Sequence, residues 1–244
     1  MAETVNALRT RNLDLPPLAT AGTLRVPDEP RGIVLFAHGS GSSRFSRRIS
    51  RIASALQEAG LATFLFDLVT ADEVSDRAKI FDISLLTERL LLASEFVRQD
   101  SEARHLSVGY FGTSTGAAAA LAAAARAPFA VAAVVCAGGR PDLAGSALAR
   151  VQAPTLLLVG SRDYELLTLN EIASARMCCE RALKVIPGAG HHFHEPGTLD
   201  RAIAFASHWF REHPSAAPTP DADTLRGPQR LRAATDHPAN ASLG

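Results

Sequence analysis

The stretch YFGTSTGAAAALAAAA, residues 110–125, sets an apolar run against a serine flanked by Gly112 and Gly116, followed by an almost continuous alanine tract. It reads in two ways. Either it is a tight turn built from small residues, or it is the G-x-S-x-G turn in which a serine is held between a strand and a helix with its hydroxyl presented at the sheet edge. Glycine is common enough that the bare match is weak. Its setting is stronger, because it closes a predicted strand and opens a predicted helix. The alanines express either plain helix propensity or close packing under the sheet.

Outward from this turn, short apolar runs alternate with longer amphipathic segments. GIVLFAHG (residues 32–39) and LATFLFDL (61–68) are continuous hydrophobic strands, as expected where helices cover both faces of a parallel sheet. LSVGYFG, VAAVVCAGG, PTLLLVGSRD and ALKVIPGAGH repeat the pattern. Ile49, Ile52, Ala53 and Leu56 fall on one helical stripe before Gly60, and residues 82–97 and the stripe of Leu199, Ile203, Ala206 and Phe210 behave likewise. The expected fold is α/β, with a mostly parallel central sheet and helices on both faces. Only residues 140–153 separate two of the predicted strands, which leaves no room for a large cap domain.

The expected boundaries are an N-terminal segment over residues 1–20, one domain over 21–213 and a disordered tail over 214–244. Five of the 14 prolines lie between Pro214 and Pro238, and few large apolar residues remain there. The tail's NAS at Asn240 formally matches a glycosylation acceptor and is read as chance.

Over 244 residues, 47% are hydrophobic and 25 basic residues balance 25 acidic ones. No global field points to nucleic acid or to an anionic membrane as partner. The three cysteines have no C-x-x-C spacing, the first residues lack a signal-peptide apolar core, and no apolar run reaches the length of a membrane span. A cytoplasmic location is expected. No oligomeric state is implied.

If Ser114 is a nucleophile it needs a base, an acid to orient that base, and donors for an oxyanion. Asp163, just past a predicted strand, is the candidate acid. The alternative for it is a helix-capping role, with Asp142 and then Glu165 in reserve. His191, after the Gly-Ala-Gly turn, is the candidate base and His192 the second choice. A metal site from His191, His192 and His194 lacks a known ligand spacing, so no metal or other cofactor is expected. Ser40 in HGSGSS and Thr115 after the serine are the candidate oxyanion donors. His38, Arg44 and Arg140 are candidate substrate contacts, with Arg44, Arg47, Arg48 and Arg51 clustered after the glycine-serine loop.

The set HGSGSS, GTSTG, GSRD and GAGH, in that order, resembles the α/β-hydrolase fold and its dienelactone hydrolase-like branch over residues 21–213. The resemblance implies a nucleophile at Ser114, an acid at Asp163, a base at His191, and oxyanion donors at Ser40 and Thr115. Dienelactone hydrolases proper carry cysteine where this chain has Ser114. The implied activity is therefore serine-dependent hydrolysis of small or mid-sized carboxylic esters (class 3.1.1) through an acyl-enzyme. Thioester or lactone hydrolysis would use the same residues, and a hydrolase-shaped binding protein without activity is the alternative of another class.

Overall fold

The computed structural model describes residues 8–39 and 43–214. Ser40 and the tail beyond Pro214 lie outside these described residues.

Among the described residues eight strands form one sheet: β1 (Arg9–Leu15), β2 (Thr20–Val26), β3 (Ile33–Ala37), β4 (Ala62–Phe66), β5 (Val108–Ser114), β6 (Val131–Gly139), β7 (Thr155–Gly160) and β8 (Arg181–Ile186). Their spatial order is β1-β2-β4-β3-β5-β6-β7-β8. β1 pairs antiparallel with β2, and β2 with β4, while every pairing from β4 to β8 is parallel. The sheet thus begins at Arg9, inside the segment that the sequence pattern leaves apart from the domain. β1 is an edge strand, polar on its open side, and only Leu15 is fully buried. Arg11 and Asp100 pair at 2.6 Å and tie this edge to the rest of the molecule.

The helices are α1 (Arg47–Glu58), α2 (Arg77–Ile80), α3 (Ile83–Gln99), α4 (Thr115–Ala124), α5 (Tyr164–Ala175) and α6 (Thr198–Glu212). Alternation along the strands divides the core in two. Val34, Phe36, Phe111 and Val135 pack with Ile49, Ile52 and Leu56 of α1 and Ala206 and Phe210 of α6. Leu35, Phe64, Tyr110 and Val134 face the other way, onto Leu86 and Leu90 of α3 and the alanines of α4. The segment between β6 and β7 holds only the short 3-10 stretch Pro141–Arg150. No cap domain interrupts the sheet edge there.

The alanine tract is explained by its place. Residues 115–123 of α4 are buried on every side. A Cβ on Gly116 would run into the carbonyl of Ala37, one on Gly112 into the backbone of Ala117, and one on Gly139 into the Ala117 side chain. Larger residues would push the helix off β3, β5 and β6, so the tract answers to close packing, with propensity as a by-product.

Candidate active site

Ser114 ends β5 and stands at the N-cap of α4 with φ 50° and ψ −128°. This conformation costs a non-glycine residue on the order of 1–3 kcal/mol and persists only where the surroundings enforce it. They do: Gly39 and Gly116 bring the end of β3 against the turn, and the Ser114 carbonyl accepts from Arg140 N at 3.0 Å. The hydroxyl makes no capping bond to the helix. It sits beside the positive end of the α4 dipole, where the Thr115 N–H opens the first turn.

Asp163 and His191 come together because their two loops are stitched by backbone. Ser161 N donates to Ile186 O at 3.0 Å, Arg162 N to Ala189 O at 2.9 Å, and Gly188 N to Ser161 Oγ at 2.8 Å. Gly160 faces the Ala189 and Gly190 carbonyls so closely that a Cβ would not fit. Gly190 N in turn donates to the Glu195 carboxylate at 3.1 Å, closing the histidine loop. Asp163 Oδ2 then lies 2.8 Å from His191 Nδ1, while its Oδ1 accepts from Leu166 N at 3.4 Å. The helix cap and the partner of His191 are thus one residue. A carboxylate only accepts, so it fixes the proton on Nδ1 and leaves Nε2 free to act as a base.

The same loop leans on the serine turn. The His191 carbonyl packs against Gly138, which would admit no Cβ there, and the next residue, Gly139, pairs with Ser114 across β5 and β6. Among the described residues Ser114 Oγ has no hydrogen-bond partner. Bonds of this kind commonly tighten only when substrate arrives.

The remaining candidates fall elsewhere. His192 Nδ1 lies 3.0 Å from Arg48, whose guanidinium also donates to the His192 carbonyl at 3.3 Å. Burial, helped by the neighbouring His191 and Arg48, lowers the His192 pKa. Asp142 is held by Arg140 through two bonds of 2.9 and 2.7 Å, and Glu165 is exposed on α5. Arg140 therefore meets a carboxylate of its own chain. The expected arginine cluster is likewise dispersed, Arg44 onto Asp67, Arg48 onto His192 and Arg51 onto Asp200. Among the described residues no group of three or more His, Cys, Asp or Glu is placed to hold a metal.

Asp67, just past β4, was not among the sequence candidates. His38 is buried after β3, with Nε2 3.3 Å from Asp67 Oδ1 but neither ring nitrogen aligned for a hydrogen bond. Asp67 Oδ1 also accepts from Arg44 N at 3.0 Å, and its other oxygen pairs with the Arg44 guanidinium. Burial pushes the Asp67 carboxyl up, but His38 and Arg44 outweigh it and hold the pKa below its ordinary value. These three residues are among those lining a cleft of about 420 Å³ at the ends of β3 and β4. The signal that could have found Asp67 is its position after LATFLF, the same strand-end logic that singles out Asp163.

The family described as an alpha/beta hydrolase domain matches residues 30–205. A dienelactone hydrolase from Anabaena variabilis is 45% identical, with a TM-score of 0.81 over 86% of this chain and 99% of that one. Relatives from two Mycobacterium tuberculosis strains, provisionally named phosphoribosyl transferases, are each 52% identical over 197 residues. That match takes in 81% of this chain but 44% of theirs, so the chain spans less than half the length of these relatives. Est1E from Butyrivibrio proteoclasticus, at 15% identity and a TM-score of 0.69 over 84% of this chain and 98% of that one, shares the fold. Among the described residues no helix is long and apolar enough to cross a membrane.

Proposed function

The chain belongs to the α/β-hydrolase family, in its dienelactone hydrolase-like branch, and from that membership we propose that it is a serine hydrolase of carboxylic esters acting on small molecules in the cytoplasm. The observation that carries this reading is the 2.8 Å bond from His191 Nδ1 to Asp163 at the sheet edge that also carries the strained Ser114. In the proposed reaction Ser114 Oγ attacks the acyl carbon while His191 Nε2 takes its proton. The carbonyl oxygen becomes an anion stabilised by the N–H of Thr115, with the Ser40 N–H as the second donor that the family resemblance implies. Its collapse expels the alcohol, which receives the proton from His191. A water, deprotonated by His191, then attacks the acyl-enzyme, and the acid and free Ser114 are released. Asp163 keeps the imidazole in the required tautomer throughout.

Serine in place of the cysteine of dienelactone hydrolases proper supports ester cleavage rather than their particular lactone chemistry. The transferase name of the mycobacterial relatives we assign to the larger part of those proteins that this chain does not match. A fluorophosphonate probe tests the proposal: it should label the wild type and leave Ser114→Ala unlabelled, with hydrolysis of nitrophenyl esters lost in parallel. Labelling that survives in Ser114→Ala, or transfer of a phosphoribosyl group by this chain alone, would overturn it.

A further inference from the structure

Resting on the hydrolase reading above, we infer that the cleft at the ends of β3 and β4 is the acyl-binding site, and that it selects uncharged acyl chains of intermediate length. The direction of the bond to be broken supplies the first argument. The leaving alcohol takes its proton from His191, which places it on the side of β6 to β8, where the His191 carbonyl packs against Gly138 next to the pairing of Gly139 with Ser114. The acyl group on the same carbon then extends the opposite way. That way lies β3, whose end is pressed against the serine turn through Gly39 and whose next residue, His38, lines the cleft.

The lining supplies the second argument. The cleft is lined by Ala19 and Ala21 from the β1–β2 hairpin, Val69, Ala71 and Val74 from the β4–α3 connection, and Phe45, which is 72% exposed. A volume of about 420 Å³ is within the range of small-molecule sites. The polar end carries one cation, Arg44, already satisfied by Asp67. A carboxylate on the substrate would have to displace Asp67 from Arg44, or remain desolvated between them. An alkyl chain meets neither cost.

The far wall is fixed rather than loose. Arg89 grips Glu73 with two bonds of 2.6 and 2.9 Å and also donates to Leu68 O at 2.8 Å, while Thr70 N donates to Glu73 at 3.0 Å. Residues 68–74 are therefore held against α3, and the cleft has a defined width.

Nitrophenyl esters that differ only in the acyl group test the inference. With the wild type, kcat/KM should rise by about tenfold from acetyl to hexanoyl, and the adipic monoester, which adds a terminal carboxylate, should fall by about tenfold from hexanoyl. Val74→Trp and Ala71→Phe, both at exposed positions of the wall, should abolish the roughly tenfold preference for hexanoyl over acetyl, read as the ratio of the two kcat/KM values. An acyl profile unchanged in both variants, or a preference for the adipic monoester, would overturn the cleft assignment while fluorophosphonate labelling of Ser114 kept the hydrolase reading standing. Absence of that labelling in the wild type would overturn both.

Discussion

The two halves of the sheet edge build their chemistry by different means. Around β7 and β8 the backbone does the positioning: hydrogen bonds between the loops after Gly160 and Ile186, and glycines too close to neighbouring carbonyls to carry a side chain, bring Asp163 to His191. Around β3 and β4 the positioning falls to charged side chains from distant segments, Asp67 on Arg44 and Glu73 on Arg89. Backbone stitching allows one geometry and tolerates little substitution. Charge pairs can be rewired one residue at a time, which suits the half of the site proposed to meet the variable part of a substrate.

The comparison breaks most easily at Asp163. Asp163→Asn keeps the helix cap but offers His191 the wrong hydrogen-bonding partner, and kcat should fall by about 10⁴ with little change in KM. Asp142→Asn, whose carboxylate is held by Arg140, should stay within about twofold. A large loss in Asp142→Asn with near-normal Asp163→Asn would place the acid on the loop after β6 and end the special status of the β7–β8 stitching.

Glu73 probes the other half through stability. Its carboxylate sits within bonding distance of Arg89, Lys79 and Thr70 N, and these, Arg89 above all, hold its pKa far below the usual range against the opposing effect of burial. Glu73→Gln should lower stability at pH 7 by about 2 kcal/mol, read by denaturant unfolding. A carboxylate depressed in the folded state contributes fully above its unfolded pKa of about 4.3 and loses that contribution as pH falls towards the folded value. The gap between wild type and variant should therefore narrow steadily below about pH 4. A gap independent of pH would mean that the wall is held by packing and not by charge.

How far the sequence can be read follows the same division. β3 to β7 are legible as apolar runs because helices cover both faces, and the order of loops places Asp163 and His191 at neighbouring strand ends. The β1 strand is not legible: RTRNLDL opens with four polar residues, has only Leu13 and Leu15 as apolar ones and has one open side, so neither composition nor hydropathy marks it. Asp67 stands at a strand end as Asp163 does, but its pairing, like that of Glu73, is hidden for another reason. Their partners, Arg44, His38 and Arg89, lie in other segments, and nothing local records the pairing. The separate partners of Arg44, Arg48 and Arg51, which are Asp67, His192 and Asp200, go unrecorded locally for the same cause.

The finest test of the difference is Asp67→Asn. The amide can still accept from Arg44 N, so the loop after β3 keeps its backbone anchor, but the ion pair is gone and the Arg44 guanidinium is left facing the cleft. For hexanoyl esters kcat/KM should drop by about threefold, because a desolvated cation now borders an alkyl chain. For the adipic monoester it should rise, since the freed guanidinium pairs with the substrate carboxylate in place of Asp67, and the tenfold discrimination against that ester should shrink to about twofold. If both esters lose activity equally, Asp67 acts only by shaping the loop; if neither changes, Arg44 does not face the acyl group. Only opposite movements of the two esters fit a site whose selectivity resides in a replaceable charge pair while its reacting groups are locked by backbone.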